Sequence, residues 1–279
     1  MAADRGARLV RADRLARQHV GPAGPDAGGG GGVAGAVGPA APGPLTPLPD
    51  LQLTEDGLAP SGRGRVLLLA CGALAHEIIA LRRANGWNHL DLQCLPAIWH
   101  NHPDRIVPAI TQAVATHRAA YDRIFVVYAD CGTGGQLQTA CDALGVGMIP
   151  GPHCYSFFTG NDAFAQADDM TAFYLTDFLT RQFDAFVTRP MKLDRHPELI
   201  GMLFGRYERV VYLAQTDAPD LDRRGRQIAA KLGLGYERRF VGYGDLSDAI
   251  IAAAEPPPRR LSWCVFSLFY IFVFFFSFF

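Results

Sequence analysis

Between residues 65 and 253 the chain alternates short apolar runs with stretches whose apolar residues recur every three or four positions. The first run covers 65–70; beyond Cys71-Gly72, the spacing of Leu74, Ile78 and Leu81 predicts a helix over 73–84. A second run, 90–95, stops at Pro96, and Pro103 suits the first turn of a helix over 104–117. The third run, 124–129, ends abruptly on an acid, a thiol and three glycines before a helix over 136–144, and a fourth run follows at 146–149. Runs this apolar fit strands buried on both faces. Three successive helical crossovers predict an α/β fold with a doubly wound, mostly parallel sheet and helices on both faces.

After Pro150-Gly-Pro152 the pattern loosens into a short helical turn from His153 and an irregular loop through Met170. Helical spacing returns over 176–187, with Thr176 or Asp177 as the cap, and again after Pro197. A last regular unit reads strand 210–215, helix 221–232, strand 236–243 and helix 246–253, the last capped by Asp245.

Composition separates both ends from this middle. Residues 1–60 hold five glycines in a row at 28–32, many Ala and Pro and almost no aromatic residue, which predicts a disordered tail. Arg5, Arg8, Arg11, Arg14 and Arg17 recur as in a targeting peptide, but Asp4, Asp13 and the lack of serine oppose that reading, and a start codon placed too far upstream accounts for the segment as well. Residues 61–255 form the α/β domain. Residues 256–279 begin with Pro256-Pro-Pro-Arg-Arg260 and become Phe-rich. Read as real, this end is long enough to reach across a bilayer as a C-terminal tail anchor, its arginines cytoplasmic; read as out-of-frame translation, it has no role.

The net charge of −1 argues against nucleic acid as a partner, because phosphate-backbone binders carry a basic excess. Six cysteines spread over the whole length, with no closely spaced pair, point to a reducing, cytoplasmic setting rather than a disulfide framework.

The predicted topology converts these cysteines into a candidate site. Cys71 and Cys131 each follow a strand, precede a helix and are followed by glycine, while His100 and Cys154 fall just after the second and fourth strands. In a parallel sheet all four then meet at the carboxyl edge, where ligands of such sheets sit. Three thiols and an imidazole are donors for zinc or another thiophilic metal, and ligands drawn from separate loops resemble a reactive site more than a structural knuckle. Packing is the alternative, since free cysteine is often a buried small hydrophobe; Cys94 and Cys141, inside a strand and a helix, are assigned to it. His102, two residues from His100, adds a second imidazole if the segment is extended. Asp130 and Glu77 are candidate catalytic groups, for proton transfer or for orienting a ligand, against loop-edge and solvated-helix alternatives. Gly132, Gly134 and Gly135 before a helix offer amides to an anionic cofactor, though neither a Gly-Lys-Ser/Thr ending nor a dinucleotide fingerprint accompanies them. No Gly-x-Ser-x-Gly elbow is present.

Cys71-Gly-Ala-Leu-Ala-His-Glu-Ile78, Trp99-His-Asn-His-Pro103, Tyr128-Ala-Asp-Cys-Gly-Thr-Gly-Gly135, His153-Cys-Tyr155, Leu175-Thr-Asp-Phe-Leu179, Arg195-His-Pro-Glu-Leu199 and Tyr212-Leu-Ala-Gln-Thr216 together resemble a prokaryotic family catalogued as domain of unknown function 1638. The resemblance covers roughly residues 65 to 253. It implies an accessory role beside corrinoid-dependent methyltransferases of one-carbon and methylamine metabolism, with a corrinoid as cofactor or a corrinoid protein as partner. Two classes of function follow: a metal-dependent enzyme or accessory protein built on the Cys/His cluster, and a non-enzymatic small-molecule or protein-binding module whose cysteines are structural.

Overall fold

A computed structural model describes residues 48–167 and 169–255. Both predicted tails lie outside these residues, except for 48–60. Those residues correct the expected limit of disorder. Helix α1 (Asp50–Glu55) buries Leu53 completely, and Leu58 pairs with Cys94 through two backbone hydrogen bonds of 2.9 and 2.8 Å. Leucines at 48, 53 and 58 supply an apolar face that the surrounding proline and glycine mask in the composition.

The strands are parallel and flanked by helices, as an α/β fold requires, and they are divided between two sheets. The first has the order β2-β1-β3-β4, from β1 (Val66–Cys71), β2 (Leu90–Leu95), β3 (Arg123–Val127) and β4 (Gly147–Met148). Its crossovers carry α2 (Ala75–Asn85), α3 (Ile106–His117) and α4 (Gln136–Leu144). Strand β1 registers Val66 against Leu90 on one side and against Arg123 on the other. The chain therefore winds outward in both directions from the β1–β3 pair, and the crevice at this switch point is where such sheets bind ligands.

The segment after β4 folds into α5 (Ser156–Thr159) and α6 (Asn161–Gln166), more regular than the expected loop. Then comes β5 (Ala172–Leu175), a strand absent from the sequence reading, because four residues of mixed burial carry no periodic signal. It pairs with β6 (Arg209–Ala214), and β6 with β7 (Gly235–Phe240). The predicted helix over 176–187 is α7 (Asp177–Arg181) followed by one π-turn at Asp184–Thr188, and α8 is Ile200–Phe204. Helices α9 (Pro219–Leu232) and α10 (Gly244–Ala254) complete the unit. Asp245 does not cap α10; Tyr243 stands at that position, and the Asp245 carboxylate accepts the Asn161 amide at 2.8 Å. Buried residues of both sheets join one hydrophobic cluster, so the sheets share a core.

Candidate functional site: a thiol–imidazole cluster

Each strand of the first sheet delivers one donor. Cys71 is the last residue of β1, and Gly72 lets the chain turn beneath α1: a Cβ there would stand 2.2 Å from the Leu53 carbonyl oxygen. Beyond β2, Ala97–Asn101 is a 3₁₀ turn that places the exposed His100 where it lines the cavity beside Cys71 and Cys154. This corrects the extended geometry expected for the two histidines: both are exposed, and the turn leaves only His100 lining the cavity. Beyond β3 comes Cys131, and beyond β4, Cys154. The backbone joins the last two loops, since the Asp130 amide donates to Gly151 O at 2.9 Å and the Cys131 amide to Pro152 O at 3.1 Å. The two sulfurs lie 3.3 Å apart and are hydrogen-bonded rather than bridged.

Cys131 adopts φ +46°, a left-handed conformation that costs a non-glycine residue about 1–2 kcal/mol. Asp130 holds it there. Its carboxylate accepts from the Thr133 hydroxyl at 2.8 Å and from the amides of Gly135 and Gly134 at 2.6 and 3.1 Å. Burial works to raise this carboxyl, and these donors outweigh it and keep the group below the usual carboxylate range. The expected anion cradle is thus filled from within. Gly134 and Gly135 give their amides to Asp130, and the Asp130 carboxylate is committed to the turn.

The charges within the cluster follow from who donates to whom. Hydrogen bonding from Cys154, opposed by burial and helped by His100, lowers the Cys131 thiol to about 5. Cys154 also lowers Cys71, and itself rises well above the ordinary thiol range because its proton serves both neighbours. The His100 imidazole is raised, first by its hydrogen bond with Cys131, while part of its surface remains open to solvent. Tyr128, at the end of the third apolar run, is buried beside Cys71, and its hydroxyl helps to hold that thiol low. Its place three residues before Cys131 is the only trace of this in the sequence. His153 turns aside and stacks on Tyr155 with ring centroids 5.0 Å apart.

Glu77 is not brought to this cluster. It turns into the core beside Asp177 and Arg181, where burial pushes its carboxyl up to about 7 and Oε2 has no hydrogen-bond partner. Asp177 is the residue whose importance the sequence hid behind a capping role. Thr176 caps α7, accepting from the Leu179 amide, while the buried Asp177 carboxylate collects the Tyr212 hydroxyl and the amides of Gln215 and Thr216. Cys94 and Cys141 are buried as packing residues, with Cys141 pushed up to about 11.

A family model described as "Protein of unknown function (DUF1638)" matches residues 94–250, more than half of the chain. The chain belongs to the DUF1638 family. The match takes in His100, Asp130, Cys131 and Cys154 of this DUF1638 chain, while Cys71 and Glu77 precede it. No curated protein and no solved structure matches the chain.

Among the described residues, no group of three or more His, Cys, Asp and Glu side chains already stands in metal-ligating geometry. The four donors are instead arranged around shared protons. Two sulfurs bound at 2.3 Å to one tetrahedral ion stand about 3.8 Å apart, so the observed 3.3 Å contact between Cys131 and Cys154 is tighter than coordination allows. Exchange of the shared protons for a metal requires these sulfurs to part by about half an ångström. Among the described residues, no helix is long and apolar enough to cross a membrane.

Proposed function

We propose that the cluster is a site for a thiophilic metal, zinc foremost, held by Cys71, Cys131, Cys154 and His100. The observation that supports this reading is the delivery of three thiols and an imidazole, one from each strand end, to the switch-point crevice of a parallel sheet. Packing alone gives no reason for that coincidence. Soft thiolates with one imidazole are a donor set that zinc accepts, and two of the thiols are held toward the deprotonated form that ligation needs. A metal here supplies a Lewis acid. The chain's own residues fix its place: Asp130 sets the Cys131 turn, and Cys71, His100 and Cys154 present the cluster to an adjoining cavity. That cavity measures about 270 Å³, too small to enclose a corrin ring, so a corrinoid role requires a partner protein to present the cofactor at its mouth.

The absence of preset ligand geometry favours a second reading, a binding module whose thiols serve the cavity wall. Elemental analysis of anaerobically purified chain separates the two. The first reading expects close to one equivalent of zinc, iron or cobalt and its loss in Cys131→Ser. Metal content far below one equivalent, unchanged by that substitution, leaves the second.

A further inference from the structure

The cavity lies between the sheets. Its floor is Cys71, His100 and Cys154, and its wall is carried largely by rings on β5 and the flanking loops: Phe173, Tyr174, Tyr155 and Tyr207. The rings brace one another. Tyr155 stacks on Tyr174 with centroids 5.4 Å apart, and Phe173 meets Tyr207 edge-on at 5.6 Å. Among the described residues, no Asp, Glu, Lys or Arg lines the space. An anion entering it would lose its hydration and meet no lysine or arginine among the described residues. A cation would find ring faces but no carboxylate on the wall. A cavity of about 150 Å³ accommodates benzene, so this one suits roughly eleven non-hydrogen atoms.

We infer that the cavity binds a small uncharged molecule with an aromatic or branched alkyl body of about this size, one end of which rests against the thiol–imidazole floor. The inference takes from the proposed function only that this floor is the reactive face. Polar orientation comes from Thr176 and the hydroxyls of Tyr155 and Tyr207, since that of Tyr174 is donated to Asp169, the pattern of a largely apolar pocket with few polar groups. The pocket thus specifies a substrate class, neutral and compact, and rejects phosphorylated or carboxylated molecules.

Three isosteric probes test this on the full-length chain: benzyl alcohol, benzylammonium and benzoate, followed by ligand-observed NMR titration. Benzyl alcohol should bind saturably, with the two charged probes at least tenfold weaker. Ala73→Phe, which fills the cavity from its partly exposed rim, should weaken benzyl alcohol at least tenfold while metal content and the unfolding midpoint stay unchanged. Tyr207→Ala, which opens the wall instead, should shift the preference toward a bulkier neutral probe, naphthalene methanol, and serves where Ala73→Phe fails to fold. The inference is overturned if benzyl alcohol does not saturate, if either charged probe binds as tightly, or if neither variant alters binding. Cys131→Ser keeps the two ideas apart, because Cys131 does not line the cavity: a variant without metal that still binds benzyl alcohol sinks the metal site alone, and a metal-loaded wild type that binds no neutral probe sinks the cavity alone.

Discussion

The carboxyl ends of the two sheets are organised around opposite kinds of polar group. At the second sheet, Asp177 is buried, yet its carboxylate is met by the Tyr212 hydroxyl and the amides of Gln215 and Thr216, and its own amide donates to Gln215 Oε1. At the first, Cys71, Cys131 and Cys154 share protons through weak sulfur contacts, beside the buried Tyr128 hydroxyl and a cysteine in a left-handed turn. A saturated web of oxygen and nitrogen donors fixes a loop and has no capacity left for a ligand. An under-satisfied sulfur cluster beside a cavity keeps its capacity, and strain maintained by neighbouring contacts is found where chemistry is done.

The comparison breaks most readily in stability measurements. Asp177→Ala leaves several buried donors unpaired and should cost about 3–5 kcal/mol in denaturant unfolding. Cys131→Ser, compared in metal-free protein, should cost less than about 1 kcal/mol, because a sulfur contact is lost and the strained turn is still held by Asp130. Equal costs would make both edges structural and remove the argument for a site at the first.

Glu77 sharpens the contrast, since it is a buried, poorly satisfied acid beside the saturated web. Its carboxyl sits at about 7 in the fold against 4.5 for the free group. The folded chain therefore holds this proton more tightly than the unfolded chain. Stability is full below about pH 4.5, falls as pH rises toward 7, and the loss then levels off at about 3 kcal/mol. Glu77→Gln should remove that slope: thermal melts of variant and wild type should nearly coincide at pH 4, and the variant should be the more stable at pH 8. Coincidence at both values would mean that Glu77 is satisfied in solution.

Smaller effects probe how each edge is held. Gly72→Ala drives a methyl into the Leu53 carbonyl, so α1 must shift, and urea unfolding should register a loss of about 1–3 kcal/mol. Thr176→Ala removes the α7 cap and should cost about 1 kcal/mol by the same measurement. A larger cost would place Thr176 within the Asp177 web.

Much of the first edge was legible in the sequence, and the reason is geometric. Once strands end where apolar runs end, Cys71, His100, Cys131 and Cys154 fall at equivalent positions, and parallel pairing does the rest. The second edge was not legible. A carboxylate at the third position of Leu175-Thr-Asp-Phe-Leu179 looks like any helix-capping acid until β6 brings the Gln215 and Thr216 amides to it, and that contact spans 38 residues for Gln215. Strand β5 was too short to show a period, and with it the division into two sheets was hidden. Glu77 stands one turn from Leu81 and beside Ile78, both buried; its polarity argued for solvent, while its neighbours' spacing pointed to the core.

The sequence distances within the thiol cluster set an order of events as the chain acquires its structure. Cys71, His100, Cys131 and Cys154 come from four consecutive loops, with the nearest sulfur pair 23 residues apart. A zinc knuckle, with ligands a few residues apart, grips its ion while most of the chain is still random coil. Here the full donor set exists only after β2, β1, β3 and β4 have paired, so at the proposed metal site ion uptake would be the last step of sheet assembly and would report its completion. A nascent or damaged chain would be unable to sequester metal, and occupancy would mark the molecules whose first sheet is whole.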